Sequence, residues 1–362
     1  MKKAILFFIT LPFAFVFIEL FRSDLYNFNN RFLIKFLFCY AIPLFFSYLF
    51  VLKNKIIYRP LELKFNKKMK LFLLFSSFLF FYFIFENIES ISVIDLSIFS
   101  EKYRNSYYKG SGVFTYLLLN VFTVLVSFYI LKSRKLNNWT YLGLLLVFIA
   151  TFFLGLRIYL FTIFVSLIIR YFIRNKNLIH LSFFFSFLFF LLISFKIFYG
   201  GKIITESQTF FELIIKTFSR TNYSALLYNS DLNLLSQFIE SILSFFTEKD
   251  LSVFKNYFYY DNSDINILYP GISKTSGIAI PLTVIIFNTT SYLSIIFFFL
   301  FFMIIIISYY KVFSSISLYS SYFWYVILIT LLGCLVEDVF FLSKFFLSLL
   351  PEIGRASCRE RV

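Results

Sequence analysis

Two arginines and a carboxylate pair are the residues of this chain whose placement speaks of chemistry. Arg157 stands in Leu154-Gly155-Leu156-Arg157, between apolar runs that leave no room for a polar loop. A guanidinium at such depth is costly unless it snorkels or meets an anion, and its planar fork fits phosphate oxygens. Arg157 therefore reads either as an interfacial anchor for a tight turn or as a clamp on a pyrophosphate. Glu337 and Asp338 follow another apolar run. A carboxylate pair at a membrane mouth is either a solvated turn or, with its pKa raised, a general base. Glu19, near the end of the first run, is a further carboxylate of this kind. Ser219-Arg220-Thr221-Asn222-Tyr223 is a polar cluster around the second arginine, and Tyr257-Phe258-Tyr259-Tyr260 precedes Asp261 and Asp264. Aromatic faces beside carboxylates match what sugar rings need, namely C–H stacking and acceptors for hydroxyls.

The elements that must hold these residues follow from composition. Of 362 residues, 60% are apolar and only 15% charged, with a mean hydropathy of +0.83. A water-soluble globule cannot hide that much apolar surface, whereas spans of about 20 residues in a bilayer use it. Collagen, coiled-coil, disordered and disulfide-scaffold classes are excluded as well. Ten apolar runs can be marked: 4–21, 33–52, 71–85, 113–131, 141–156, 158–172, 179–198, 291–310, 322–336 and 339–350. The expected fold is all-α, a polytopic transmembrane helix bundle of about ten spans. The first run follows Met1-Lys2-Lys3 but lacks a small-residue cleavage site, so it reads as a retained anchor. The 59 phenylalanines, with abundant Lys, Asn and Ile, read as the codon bias of an AT-rich genome rather than as a binding stripe.

Loop charges give the bundle a direction. With Lys2 and Lys3 in the cytoplasm, the inner segments carry Lys53, Lys55, Arg59, Lys64, Lys67, Lys68, Lys70, Lys132, Arg134, Lys135, Arg170, Arg174, Lys176 and Lys311. Their one carboxylate outside the tail is Glu62. The opposite side receives Asp24, Glu86, Glu89, Asp95, Glu101, Glu337 and Asp338, mixed there with Arg22, Arg31, Lys102, Arg104 and Lys109. This positive-inside bias explains the +15 net charge better than nucleic-acid binding does, and no nucleic-acid partner is expected. The chain is expected in a bacterial cytoplasmic membrane with its N-terminus inside. Arg157, Glu337 and Asp338 then share the outer face.

One long connection, 199–290, lies on that face, and loops of such length are uncommon unless functional. Phe210, Phe211, Ile214, Ile215 and Phe218 recur at helical spacing, as do Leu235, Phe238, Ile239, Ile242, Leu243 and Phe246. Both series predict amphipathic helices, which either cover the bundle or form a lid over a lipid-linked substrate. The short apolar stretch 278–287 contains Pro281 and reads as re-entrant or interfacial. Cys39 and Cys334 sit in apolar runs, Cys358 in the tail, and His180 follows a basic cluster, so no metal-ligand spacing appears and no metal or cofactor is expected. The final residues, IGRASCRERV, are polar and Arg-rich. They read as a vector-derived tail, 353–362, behind a single membrane domain, 1–352.

Taken together, these features resemble bacterial O-antigen polymerases, also called oligosaccharide repeat unit polymerases. The resemblance rests on ten or more spans, the Gly155-Leu156-Arg157 turn, a large late outer loop with Arg220 in a polar helix start, and Gly277-Ile278-Ala279-Ile280-Pro281 leading into a span. The turn departs from the pattern by carrying Leu where small residues are common. The resemblance implies a metal-independent glycosyltransferase that polymerises undecaprenyl-pyrophosphate-linked oligosaccharides on the outer face. One chain is transferred from its lipid pyrophosphate to a hydroxyl of another. Arg157 and Arg220, with Asn222 and Tyr223, would hold the substrate, and Glu337 or Asp338 would take the acceptor proton. Its partners would be the lipid-linked oligosaccharide, membrane lipid, a chain-length regulator and a flippase. A polysaccharide flippase is the competing reading. It would more often show repeats, short loops and intramembrane charge.

Overall fold

A computed structural model of the chain describes residues 2–20, 30–54, 70–71, 74–75, 77–78, 112–133, 138–154, 157–174 and 291–336. Among these residues the regular structure is entirely helical. Seven helices are bounded: α1 Lys2–Leu20, α2 Asn30–Lys53, α3 Gly112–Lys132, α4 Asn138–Leu154, α5 Arg157–Arg174, α6 Ser291–Ser314 and α7 Leu318–Val336. Each coincides with one of the expected apolar runs. Helical residues Lys70, Leu71, Leu74, Phe75, Ser77 and Phe78 fall at the start of an eighth. The runs 179–198 and 339–350, the connection 199–290 with its two expected amphipathic helices, the stretch 278–287 and the tail 353–362 lie outside the described residues.

The helices outrun their apolar segments at several ends. α6 continues to Ser314 and α7 begins at Leu318, because side chains close the turn between them. The Ser315 hydroxyl donates to the Lys311 carbonyl at 2.6 Å, and the Ser317 hydroxyl accepts from the Ser320 backbone N–H at 3.1 Å. The second bond is an N-cap, which gives one of the orphan donors of the first turn a partner. Lys53, Lys132 and Lys311 stand in the last turns of α2, α3 and α6, where the helix dipole favours a cation.

Proline interrupts two helices, Pro12 in α1 and Pro43 in α2. Pro12 withholds a backbone donor and loosens the preceding turn. The Tyr40 hydroxyl of α2 donates to the Ile9 carbonyl in that turn at 2.8 Å. The carbonyl that Pro12 leaves without its intrahelical donor is that of Phe8, and Tyr40 reinforces the adjacent Ile9 carbonyl. Tyr40 is fully buried, and its ring lies 5.3 Å from Phe298 and 4.9 Å from Phe302 on α6. It also stacks on Phe13 of α1 at 6.3 Å. One residue thus joins α1, α2 and α6.

Packing divides into two groups. α2 packs on α1 and α6, and α6 packs on α7. In the other group α3, α4 and α5 pack on one another. α1 and α7 touch each other and both touch α5, so they weld the two groups together. The largest enclosed side chains of the core are Phe8, Tyr40, Tyr159, Phe298, Phe302, Tyr309, Phe313 and Tyr325.

The outward faces are apolar too. α2 exposes Phe38, Ile42, Phe45, Leu49 and Leu52, and α6 exposes Leu293, Ile296, Leu300, Ile304 and Ile307 at helical spacing. A helix that is hydrophobic all round belongs in a large core or in lipid. Two helices, Leu293–Ser314 and Leu318–Leu335, are long and apolar enough to cross a membrane.

Candidate functional site

Hydrogen bonds from basic side chains define one end of the bundle. The Lys2 ammonium at the start of α1 donates to the Leu52 carbonyl at the end of α2, at 2.6 Å. Lys132 closes α3 and donates to the Val312 carbonyl of α6 at 2.5 Å, while its ammonium lies 5.0 Å from the Phe313 ring. Arg170, near the end of α5, donates to the Ile130 carbonyl at 2.5 Å and to the Ser133 carbonyl at 2.8 Å. The same nitrogen reaches the Ser133 hydroxyl at 3.1 Å. The Lys70 ammonium lies 5.5 Å from the Trp139 ring at the start of α4. The Ser321 hydroxyl at the start of α7 also donates to the Val312 carbonyl, at 2.6 Å.

These contacts gather the starts of α1, α4 and α7 and the ends of α2, α3, α5 and α6 at one end. Lys132 departs from the sequence reading in one respect. Loop charges place it in an inner connecting segment, yet it is 3% exposed and joins two helices. Spacing alone does not distinguish a loop lysine from one folded back over a helix end, since the stem of either is apolar.

The opposite end holds the start of α5 and the end of α7. Arg157 is the first residue of α5, and two residues separate it from the end of α4 at Leu154. α4 and α5 pack together, and the expected Gly155-Leu156 turn between them lies outside the described residues. A cation in the first turn of a helix meets the positive end of the helix dipole, and no acidic residue sits in that turn. An anion at this position would offset both charges. α7 runs antiparallel to α5, packs on it, and ends at Val336. Glu337 and Asp338 are next in sequence but lie outside the described residues, as do Arg220, Asn222 and Tyr223. Of the six expected site residues, the structure places the backbone of Arg157. No group of His, Cys, Asp and Glu suited to a metal ion occurs among the described residues.

Between these ends runs a polar seam that the sequence reading passed over. Asn120, Thr123 and Ser127 on α3 are fully buried, as are Thr162 and Ser166 on α5. Tyr159, also enclosed, completes the second series. Both series step by three and four residues, which places each along one face of its helix. α3 and α5 end together at the Arg170–Ser133 contact and are therefore parallel. At the lower level Ser166 hydrogen-bonds the Tyr325 hydroxyl of α7, Ser127 lies beside the same hydroxyl, and Phe128 meets the Tyr325 ring at 5.3 Å. This is a three-helix knot. Seven residues towards the Arg157 end, each helix having risen about 10 Å, Asn120 and Tyr159 stand at a matching level.

The amide nitrogen and oxygen of Asn120 and the Thr123 hydroxyl have no hydrogen-bond partner among the described residues. An unmade bond at a buried polar group costs roughly 1–3 kcal/mol. The three–four spacing was visible in the sequence, but serine and threonine are ordinary in apolar helices and the seam appears only when α3 and α5 are set side by side.

No protein-family model matches the chain, and no curated protein or solved structure matches it either.

Proposed function

We propose that the chain is a polytopic protein of the bacterial cytoplasmic membrane, of about ten spans, that polymerises undecaprenyl-pyrophosphate-linked oligosaccharides on its outer face. The basic end of the bundle would face the cytoplasm, in keeping with the positive-inside rule. The apolar faces of α2 and α6 would face lipid. The observation that carries the reading is Arg157, which heads α5 at the end opposite the basic one.

In this scheme Arg157 and Arg220 bind the pyrophosphate of the donor and neutralise the charge that develops as it leaves. Asn222 and Tyr223 hold the substrate beside them. Glu337 or Asp338, following the end of α7, accepts the proton of the attacking sugar hydroxyl. The bond between the anomeric carbon and the pyrophosphate breaks, the new glycosidic bond forms, and undecaprenyl pyrophosphate departs. No metal or cofactor enters the scheme.

The test is Arg157→Ala beside Arg157→Lys in a strain lacking its own copy. Arg157→Ala is expected to insert normally and to abolish the ladder of polymer lengths. Arg157→Lys keeps the charge but loses the fork, and is expected to retain a reduced ladder. A normal ladder from Arg157→Ala would remove Arg157 from the site. Loss of the gene separates this reading from a flippase. Single repeat units accumulating on the outer face support the polymerase, and repeat units trapped inside support the flippase.

A further inference from the structure

We propose that the α3–α5 seam around Asn120 and Thr123 is a binding site for a neutral, hydroxyl-bearing ligand, reached when the outer half of the seam parts. The two halves of the seam differ in how they are held. At the basic end Arg170 ties α5 to α3 through the Ile130 and Ser133 carbonyls. One level up, Ser166 and Tyr325 tie α5 to α7. On α3, the Ser127 hydroxyl at that level and Asn120 and Thr123 above it make no hydrogen bond among the described residues, although all three are fully buried.

Asparagine is the telling residue. A buried threonine can turn its hydroxyl onto the carbonyl four residues back, as Thr10 does to Leu6 at 2.7 Å and Thr330 to Val326 at 2.8 Å. An amide carries two donors and a two-lone-pair acceptor; one donor can turn back four residues, as Asn54 does to the Phe50 carbonyl at 2.9 Å, but the helix offers no partner for the second donor and the oxygen together. Such a group enclosed in an apolar bundle favours any conformation that gives it partners. α3 and α5 are clamped by Arg170, and the α3 side is unsatisfied from Ser127 upward, so the cheapest opening of the seam is a pivot of α5 about that clamp. The opening faces the end where α5 begins.

The ligand chemistry follows from the groups. Amide and hydroxyls offer mixed donors and acceptors without charge, and apolar side chains surround them. That suits water or the hydroxyls of a sugar ring, and it is unsuited to a phosphate or a cation.

Cysteine accessibility tests this in native membranes. Asn120→Cys and Thr123→Cys are each treated from outside with a trimethylammonium-bearing methanethiosulfonate, beside Ser166→Cys and the unaltered chain. Both outer positions are expected to react at least tenfold faster than Ser166→Cys. Rates equal to that of Ser166→Cys at both positions would overturn the proposal. A second measurement does not depend on cysteine variants folding well. Asn120→Leu is expected to raise the thermal midpoint in detergent, because it closes the seam with apolar contact. A lowered midpoint would mean that the amide holds a structural bond, and would also overturn it.

Comparing cells that assemble outer-face glycolipid with cells blocked at its first sugar identifies the ligand. Slower labelling of Asn120→Cys in the former assigns the site to sugar hydroxyls, and equal labelling assigns it to water. Labelling from outside rests on the orientation proposed above and the last arm on the proposed activity, so a failed polymerase reading with that orientation intact leaves the accessibility result standing.

Discussion

At the scale of the residue, a few polar atoms decide how apolar helices are matched. Tyr40 spends its hydroxyl on the Ile9 carbonyl beside Pro12. Tyr40→Phe keeps the ring contacts with Phe298 and Phe302 and removes only that bond. The expected loss is about 1 kcal/mol, read from thermal unfolding in detergent against the unaltered protein. Lys132 makes a sharper case, because its ammonium serves a carbonyl and an aromatic face together. Lys132→Met retains the stem and is expected to cost about 1–2 kcal/mol. Lys132→Glu turns a carboxylate towards the Val312 carbonyl and the Phe313 ring face, both electron-rich, and is expected to cost more than about 3 kcal/mol. Equal stability of the two variants would show that the ammonium contributes only bulk.

At the scale of the element, turns and caps determine where helices stop. Ser317 caps α7 through the Ser320 N–H. Ser317→Ala is expected to lower stability by about 1 kcal/mol, whereas Ser317→Asp should hold it. Thermal midpoints of the two variants decide this. The helices themselves were legible in the sequence, since each apolar run from 4–21 to 322–336 that falls among the described residues is helical. Lengths were less legible. Periodicity marks where a helix is apolar, while Asn138, Ser314 and Leu318 owe their places to hydrogen bonding that continues past the apolar stretch. The site was legible only in part. Gly155-Leu156-Arg157 announced a reversal because two apolar runs abut there. Asn120 gave no such signal, because its meaning depends on α5, whose nearest seam residue is almost forty positions away.

At the scale of the molecule, the basic end is a geometric fact with a topological consequence. The helix ends that meet through Lys2, Lys132 and Arg170 must share one side of any membrane the bundle crosses. Alkaline phosphatase fused after Asn54 or after Ser133 is expected to be inactive, whereas fusions after Leu20 or after Leu154 are expected to be active. Activity at Asn54 with silence at Leu20 would invert the protein and place Arg157 inside, removing the basis for the polymerase reading. The outward faces make a second statement at this scale. Positions such as Phe38 and Ile304 are as apolar as the core, so their requirement is for solubility in lipid rather than for fit. Exchanges among Phe, Leu and Ile there are expected to be silent in melting experiments. The same exchange at Phe302 is not, because a packed interior resents a change of shape.

The tight, serine-closed turn between α6 and α7 bears on how the protein is made. Among the described residues, the two helices that are long and apolar enough to cross a membrane are also neighbours in sequence, joined by three residues, and packed along each other. Their contact closes almost no loop and so carries little entropic cost. During synthesis this hairpin is able to pair while still leaving the insertion machinery, entering the bilayer as one piece instead of two. The older half of the nascent chain, already in place, would then receive a preassembled wall against which Tyr40 and Phe128 find their partners.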